Sequence, residues 1–459
     1  MRRRARGGGQ NREPLKLNWG RLSAYLLGVF IGALDTSVLG PIFPLLERAF
    51  HTTLAWTAWT VTVYTVAYVA STVLAGGLGD RLGHRRILAY GIAGFGVASL
   101  LAALSTSLPM FLVARLIQGA GAGAVYPNAQ AEGMTYFPED RRGLALGIFG
   151  AVFGVASIVG PVVGGAIGQY LSWPWVFAVN VPLALLVWRL VRRVREPEPT
   201  RAGSVVPDWV GGVLFSGLLA AVLLTLSSVG SARYGLLAVG LVLLVVFVRR
   251  QRHTPVPFLN VTPLANWSGL ALVAGAALVG LDLSASVFVP TLVQRTLGFS
   301  VLSSGLALLP AAFTGAVLAG VGGVMVDRVG PRRVLMLGLL LATVGGVLLA
   351  WPPLTLGRFF GAMVALGAGT ALTMGAPLNR LGLALYGRHE AGQALGLMAV
   401  FRSLGLAIGP VVLTLAMVVH GFSGLFGMMA AASLAGVILF STVVDPTPTS
   451  DRHPPAARP

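Results

Sequence analysis

Two aspartates lie inside long apolar runs at corresponding places in the chain. Asp35 stands in GALDTSVLG and Asp282 stands in VGLDLSASV, 247 residues later, and a serine follows each acid by two residues. An ionised carboxylate in apolar surroundings is costly, and desolvation favours the neutral acid. Such a group could take up a proton on one side of a membrane and release it on the other. The alternative interpretation is a structural acid, held by Arg115 or by neighbouring hydroxyls.

The same offset of 247 residues relates two short charged stretches, each between long apolar runs. The first is GGLGDRLGHRR (76–86) and the second is GVMVDRVGPRR (323–333). The pattern predicts an internal duplication. The matched pairs are Asp80 with Asp327, Arg81 with Arg328, Gly83 with Gly330, Arg85 with Arg332, and Arg86 with Arg333.

The composition indicates a polytopic membrane protein made of helices. Of 459 residues, 55% are hydrophobic and only 10% are charged, whereas soluble proteins carry about 25% charged residues. Fourteen apolar segments come close to the roughly 20 residues that cross a bilayer. Cysteine is absent, which excludes disulfides and cysteine-ligated metals, and the six histidines show no ligand spacing. We therefore expect no metal site.

The formal charge of +18 is mainly a topology signal. Most of the 33 lysines and arginines lie in loops on the same side as both termini, which predicts cytoplasmic termini in a bacterial cytoplasmic membrane. A nucleic-acid partner is not needed to explain the charge. The single lysine is Lys16, so the chain holds no G-x-x-x-x-G-K-[ST] phosphate loop. We expect no cofactor and no enzyme activity, and a proton gradient as the energy source.

The repeat and the apolar segments together predict two pseudo-symmetric six-helix bundles joined by two additional membrane helices. The fold class is thus all-α, with fourteen transmembrane helices. The predicted parts are a basic cytoplasmic tail (1–21), an N-terminal bundle (22–200), a linking helix pair (201–260), a C-terminal bundle (261–444) and a disordered cytoplasmic tail (445–459).

Five stretches, in order along the chain, resemble signatures of one family. GGLGDRLGHRR resembles the first-half loop signature of the major facilitator superfamily, and RLIQGAGAG (115–123) resembles its fourth-helix signature. GPVVGG (160–165) is similar to the fifth-helix motif typical of antiporters. LDTSVLGPIFP (34–44) and WPWVFAVNVP (173–182) resemble signatures of the fourteen-helix drug:proton antiporter branch. The resemblance implies the major facilitator fold over essentially the whole membrane domain.

The sequence departs from these motifs at three positions. The first-helix motif usually has Thr and Asn where this chain has Ser37 and Gly40. The antiporter motif usually has Gly where this chain has Ala156. These differences concern the substrate class rather than the fold.

Proton coupling is assigned to four residues: Asp35, Arg115, Asp282 and Glu132. Arg115 does not deprotonate, so it is a counter-ion rather than a carrier, and the resemblance implies a place beside the proton site. Glu132 could be an entry acid or a solvated helix end. Gln118, Asn128 and Glu132 fall within an arc of roughly 80° on one helix, which predicts a polar face toward a cavity. Further candidates for the cavity lining are Tyr64, Phe288 and Arg402.

Two motifs are expected to act at the interface of the bundles. Asp80 and Asp327, with their glycines and arginines, could latch the cytoplasmic side shut, or the arginines could serve orientation only. Glycines four apart allow close helix packing. The resemblance implies that the GPVVGG motif, through Gly160, Pro161, Gly164 and Gly165, seals the two halves together.

The sequence therefore predicts a proton-coupled exporter of hydrophobic or amphiphilic small molecules that works by alternating access. A lipid or glycolipid exporter of the same fold is the closest alternative, and an uncoupled channel or receptor is a remote one. The expected partners are the lipid bilayer and a lipophilic or lipid substrate, and the expected state is a monomer.

Overall fold

The predicted helical fold is confirmed by a computed structural model, which describes residues 19–138, 142–193, 208–228, 230–255, 266–374, 376–386 and 391–443. Every regular element within these ranges is helical. Thirteen helical stretches there are long and apolar enough to cross a bilayer. The predicted tails fall outside the described residues, except for 19–21.

The described residues of the first half form eight helices, several of which are sections of one membrane crossing. A 3-10 turn at Gly40–Ile42 joins the first two. The helices are α1 (Trp19–Ser37), α2 (Phe43–Ala49), α3 (Leu54–Leu82), α4 (His84–Ala103), α5 (Leu108–Met134), α6 (Arg142–Tyr170), α7 (Trp173–Ala178) and α8 (Asn180–Arg193).

Two linking helices and a second half follow. A 3-10 turn at Ser286–Phe288 interrupts the first crossing of the second half, as in the first half. The helices are α9 (Trp209–Ser227), α10 (Ser231–His253), α11 (Trp267–Ala285), α12 (Val289–Thr296), α13 (Val301–Leu306), α14 (Leu309–Val329), α15 (Pro331–Ala350), α16 (Leu356–Thr373), α17 (Ala376–Tyr386) and α18 (Ala391–Ser441).

The count of fourteen crossings stays a prediction. It exceeds the thirteen helical stretches by one, because two of the predicted crossings fall within α18. The last stretch runs over 45 residues, Leu397–Ser441, more than twice the length that a bilayer needs. The backbone leaves helical geometry at His420 and Gly421, where Gly421 has a φ of 62°. Gly424 then lies against Ala416 of the helical segment that precedes the break. We interpret α18 as two crossings joined by this sharp turn.

The two charged stretches of the repeat form the same local structure. Gly83 ends α3 with a φ of 95°, and Gly330 ends α14 with a φ of 89°. A residue with a side chain rarely adopts this conformation, so glycine fits both turns. We call the end of the bundle that carries Gly83 and Gly330 the basic face, and the end that carries Glu47 and Arg295 the opposite face.

The apolar core has one large cluster that spans both halves near the opposite face. In it, Phe43 of α2 meets Phe288 of the second half with ring centroids 6.0 Å apart. A second cluster lies within the first half, around Tyr25 and Phe149. The halves are thus packed together at the opposite face.

The linking pair packs across the seam between the halves. Gly212 of α9 lies against Leu74 of α3, while Leu219 and Leu223 share a cluster with Ala407 of α18. Thr62 of α3 donates a hydrogen bond to the Ala407 carbonyl at 3.0 Å. The linking helix α9 therefore covers the place where α3 and α18 meet.

Asp208 fixes the start of α9 to the end of α10. Its Oδ1 accepts hydrogen bonds from the Gly211 N–H at 2.9 Å and from Arg250 Nε at 2.9 Å, and its Oδ2 accepts one from Gln251 Nε2 at 2.9 Å. Burial works against the charged form, but these hydrogen bonds prevail and lower the pKa of Asp208 below its ordinary value. The ionised carboxylate therefore stabilises the linking pair.

We predict that Asp208→Ala lowers the free energy of unfolding by about 1–3 kcal/mol, because a cap and charge-assisted hydrogen bonds are lost. The pKa is lowered by folding, so the charged group contributes its full stabilisation above the ordinary value near 3.9. That stabilisation is lost as the pH falls through the lower pKa of the folded protein. Thermal unfolding in detergent at neutral and acidic pH measures both effects.

Asp208→Asn is the matched control, since the amide keeps an acceptor for the Gly211 N–H but carries no charge. Its melting temperature should lie below that of the wild type at pH 7, and the gap should close in acid. A gap that is unchanged by pH would contradict a charged cap.

Candidate functional site

The Asp35 cluster, which consists of Asp35, Arg115, Gln118 and Asn180, lies buried in the first half. None of these residues is more than 1% exposed. Arg115 donates to Asp35 Oδ2 at 2.5 Å. Gln118 and Asn180 each donate to Asp35 Oδ1 at 2.9 Å. One cationic and two amide donors thus compensate the burial of the carboxylate.

Arg115 has further contacts that fix its guanidinium group. It donates to Gln118 Oε1 at 2.6 Å and to the Thr60 carbonyl at 3.3 Å. Its Cζ atom lies 4.1 Å from the centre of the Tyr64 ring and 5.8 Å from that of Phe177. An arginine in this setting combines several directed hydrogen bonds with cation–π contacts.

The helices bring these side chains together through close backbone approaches. A Cβ atom on Gly119 would lie 2.2 Å from the Tyr64 carbonyl oxygen, so only glycine lets α5 approach α3 this closely. Arg115, one turn earlier on α5, therefore reaches the face of Tyr64. Asn180 begins α8 directly after the break that follows α7, which places its amide beside α1.

Asn180 and Ser99 were not identified as site residues by the sequence analysis. Asn180 lies in WPWVFAVNVP, which served only as a family resemblance, and it is the single amide in that stretch. Ser99 accepts a hydrogen bond from Gln118 at 2.8 Å. A polar residue in an apolar run was the available signal, but spacing along the chain does not show that α4 and α8 meet α1.

Asp282, the counterpart of Asp35 in the repeat, has different surroundings. It is half-buried and accepts a hydrogen bond from Ser433 at 2.8 Å. Within the described residues no ion pair reaches it. The two acids of the repeat are therefore not equivalent, since only Asp35 has an arginine partner.

The polar arc predicted on α5 does not form one exposed face in this conformation. Gln118 belongs to the Asp35 cluster, and Asn128 is fully buried. Asn128 donates to the Ala75 carbonyl at 3.1 Å and pairs with His84 Nδ1 at 2.8 Å, which ties α5 to the loop of the basic face. Glu132 is half-buried.

The remaining candidates for the cavity lining are distributed differently. Tyr64 and Phe288 are buried, whereas Arg402 is half-buried. Arg402 lies within electrostatic reach of Tyr68 and Tyr126 from the first half. A lining role for these residues stays a prediction.

The charged stretches at the basic face contact residues of their own halves. Asp80 pairs with His84 at 3.2 Å, one turn along the chain. Asp327 of α14 pairs with Arg380 of α17, and Arg332 donates to the Ser441 carbonyl. A latch between the halves at this face stays a prediction.

The glycines of the GPVVGG motif pack in two directions. Gly160 lies against Ser37 of α1, and Gly164 lies against the Val38 carbonyl, so these two join helices of the same half. A Cβ atom on Gly165 would lie 2.8 Å from the Val301 carbonyl oxygen of the second half. Gly305 of that half in turn faces the Pro161 carbonyl.

Polar contacts between the halves close the opposite face. Gln294 donates to the Pro41 carbonyl at 2.9 Å, and the Leu302 N–H donates to Gln169 Oε1 at 2.9 Å. Arg295 pairs with Glu47 at 2.5 Å. These contacts, together with the Gly165 seam, seal this end of the molecule.

The comparisons with known proteins agree with this architecture. The sequence model that describes the Major Facilitator Superfamily matches residues 25–410 and 270–459 of this chain. The chain belongs to this superfamily. The predicted resemblance is thereby confirmed, and the protein is an integral membrane transporter rather than an enzyme.

Two relatives carry names that refer to drug resistance. The puromycin resistance protein pur8 of Streptomyces alboniger is 32% identical over 86% of this chain and 81% of its own length. The multidrug efflux pump LfrA of Mycolicibacterium smegmatis is 31% identical over 77% of this chain and 72% of its own length. Other superfamily relatives of similar identity are named as uncharacterized transporters.

A solved structure supports the fold. The crystal structure of a mutant of peptide transporter POT in complex with sulfate aligns with a TM-score of 0.70 at 15% identity. The alignment covers 92% of this chain and 94% of that one.

We predict that Gly165→Ala loosens the seal at the opposite face, because the added Cβ would overlap the Val301 carbonyl. The chain has no cysteine, so spin labels can be placed at Arg48→Cys and Ser300→Cys, which line a cavity of about 510 Å³ at this face. Pulsed electron paramagnetic resonance should show a shift toward longer distances. Gly150→Ala is the control, since no atom lies within 4 Å of its added Cβ, and equal distances in both variants would refute the seal.

For Asp80→Asn, the latch hypothesis predicts slower transport. It also predicts that more molecules have the two spin labels of the opposite face close together. The reason is that the state closed at the basic face would be destabilised. The same label pair measures the populations. Unchanged transport and unchanged populations would leave Asp80 with a local role beside His84.

Proposed function

We propose that this protein exports hydrophobic or amphiphilic small molecules in exchange for protons, by alternating access. The observation that carries this proposal is the Asp35 cluster, a buried carboxylate within the membrane-spanning part whose only charged partner among the described residues is Arg115. An ion gradient suits this site, because moving one elementary charge through 100 mV yields about 2.3 kcal/mol.

The hydrogen bonds of the cluster indicate how a proton would act. Arg115, Gln118 and Asn180 all donate to Asp35, so the carboxylate is ionised in this arrangement. A proton on Asp35 removes the charge that attracts Arg115. Arg115 keeps its contacts to Gln118 and Tyr64, so the weakened interaction is the one between α1 and α5. Protonation would therefore change how these helices pack.

The conformation fits one stage of an exchange cycle. The opposite face is sealed by contacts between the halves, and Asp35 is ionised. If the basic face is cytoplasmic, as the charge distribution predicts, this is the state after the proton has left toward the cytoplasm. The exported molecule would then enter from that side, and the halves would rock to open the opposite face.

The substrate class is supported by the relatives rather than by one pocket. Pur8 and LfrA bear the names of a puromycin resistance protein and a multidrug efflux pump. Similarity near 30% supports a related role for this chain in a bacterial cytoplasmic membrane. We propose a monomer that acts in the bilayer with a lipophilic substrate and without a cofactor.

Lipid or glycolipid export is the second candidate, and one groove favours it. A cavity of about 550 Å³ lies between α3, α4, α5 and α9, with walls that include Val66, Leu74, Ile87, Leu116 and Trp209. Its lining is mostly apolar and would suit an acyl chain. Fluorescent lipids in the assay below separate this candidate from drug export.

The test uses purified protein in liposomes that hold a pH gradient and a pH-sensitive dye. We expect at least one member of a panel of lipophilic cations, neutral drugs and lipophilic anions to trigger proton flux in the wild type. In Asp35→Asn, the flux should fall to the leak of protein-free liposomes, because the amide cannot carry the proton while its size preserves the packing.

Arg233→Gln is the control, since Arg233 is an exposed charged residue at the start of α10, outside both the Asp35 cluster and the contacts that seal the opposite face. It should retain most of the coupled flux. Substrate-driven proton flux that is equal in the wild type and Asp35→Asn would refute the proposed coupling, and flux triggered only by lipids would favour the second candidate.

A further inference from the structure

Arg402 is a cation within a membrane-spanning helix, and the proton mechanism does not use it. It lies on the first part of α18 and is half-buried. An arginine at this depth is expensive unless an anion, dipoles or water compensate its charge. Among the residues that the structure describes, no carboxylate forms an ion pair with Arg402.

Arg402 interacts electrostatically with two phenol groups from the other half of the molecule. Tyr68 of α3 and Tyr126 of α5 lie within electrostatic reach of the guanidinium group. Tyr126 packs edge-on against Phe153 at 5.8 Å, and its hydroxyl accepts a hydrogen bond from Gln130 at 3.0 Å. The hydroxyl can still donate one hydrogen bond.

Backbone packing holds Arg402 in this position. A Cβ atom on Gly280 of α11 would lie 1.8 Å from the Arg402 carbonyl oxygen, and Gly405 packs against the Ala277 carbonyl in the same way. The backbone of α18 is thus pressed onto α11 at this level. Tyr68 of the first half packs against the same apolar cluster as Phe401 and Leu404, which flank Arg402 along α18.

A row of rings connects Arg402 with the Asp35 cluster. The Tyr68 ring is stacked on Tyr64, with centroids 6.3 Å apart and an angle of 15° between the planes. The opposite end of this pair is Arg115, whose guanidinium lies 4.1 Å from the Tyr64 ring centre. Arg402 is therefore close to the proposed proton site but belongs to the other half.

We propose that Arg402, Tyr68 and Tyr126 form the binding site for an acidic oxygen group, such as a carboxylate, phenolate or phosphate, on the amphiphilic substrate. The guanidinium supplies the positive charge and paired N–H donors, and the Tyr126 hydroxyl supplies a further donor. The inference rests on the proposed export function and specifies its substrate class. An occupant bound here contacts both halves, as alternating access requires.

The experiment compares three probes with the same apolar body: 1-pyrenebutyrate, 1-pyrenebutanol and a pyrenebutyl ammonium salt. Their dissociation constants are measured with the purified full-length protein in nanodiscs of zwitterionic lipid. We expect the anionic probe to bind at least about tenfold more tightly than the neutral one, as a charge-assisted hydrogen bond implies. The cationic probe should bind most weakly.

Arg402→Gln should abolish the preference for the anion, and Arg402→Lys should keep part of it. Tyr126→Phe preserves the ring packing on Phe153 and should weaken the anionic probe alone by a few-fold, so the proposal can be tested even if Arg402 variants unfold. Arg233→Gln, an exposed arginine at the start of α10, is the control and should bind as the wild type does. An anion-to-neutral ratio that is equal in the wild type, Arg402→Gln and Tyr126→Phe would overturn the proposal.

Two sources could supply the acidic group, a small amphiphile or an anionic lipid. Repeating the wild-type measurement in nanodiscs that contain phosphatidylglycerol distinguishes the two sources. Weaker binding of the anionic probe through competition assigns the site to a lipid phosphate. Unchanged binding assigns the site to the small amphiphile. Failure of the proposed export function is recognised separately. It would appear as absent substrate-driven proton flux in the wild type, whatever the ratio of the probe affinities.

Discussion

A charge buried among apolar side chains must be compensated, and among the ion pairs of the described residues the one between Asp35 and Arg115 is the most deeply buried. Removal of one partner of a buried pair typically costs about 3–5 kcal/mol, because the other charge is left uncompensated. Asp35 belongs to α1, Arg115 to α5 and Asn180 to α8, while α3 contributes the Tyr64 ring. The pair therefore positions four helices of the first half, and any event that neutralises Asp35 acts on all of them.

The contacts between the two halves relate the Asp35–Arg115 pair to movement of the halves. The opposite face is closed by Gly165 on the Val301 backbone and by the Glu47–Arg295 pair. The ring contact between Tyr64 and Tyr68 leads from Arg115 toward Arg402 of the second half. The linking pair, pinned by Asp208, covers the seam between α3 and α18 from the side. In the proposed mechanism, proton binding, substrate binding and movement of the halves therefore involve adjoining groups of residues.

The sequence predicted the helical fold and the superfamily because both depend on patterns that run along the chain, namely apolar length and repeated motifs. It also offered Arg115 as one possible partner of Asp35, since both charges stand out in apolar runs. It did not predict Asn180 in the cluster or the Asn128–His84 contact, because these depend on which helices become neighbours. The Gly421 turn within α18 likewise depends on backbone geometry that composition alone does not reveal.

In the proposed cycle, Asp35 gives up its proton and gains its interaction with Arg115 when substrate binds, and it takes up a proton again after the substrate has left. The most direct measurement is proton release from purified protein in weakly buffered detergent when a transported substrate is added at a pH that leaves part of the protein protonated. We predict that the wild type releases at most one proton per protein molecule, in proportion to the fraction protonated before substrate is added, and that Asp35→Asn releases none while it still binds substrate. Equal release from both proteins would contradict it and would assign the exchanged proton to another group.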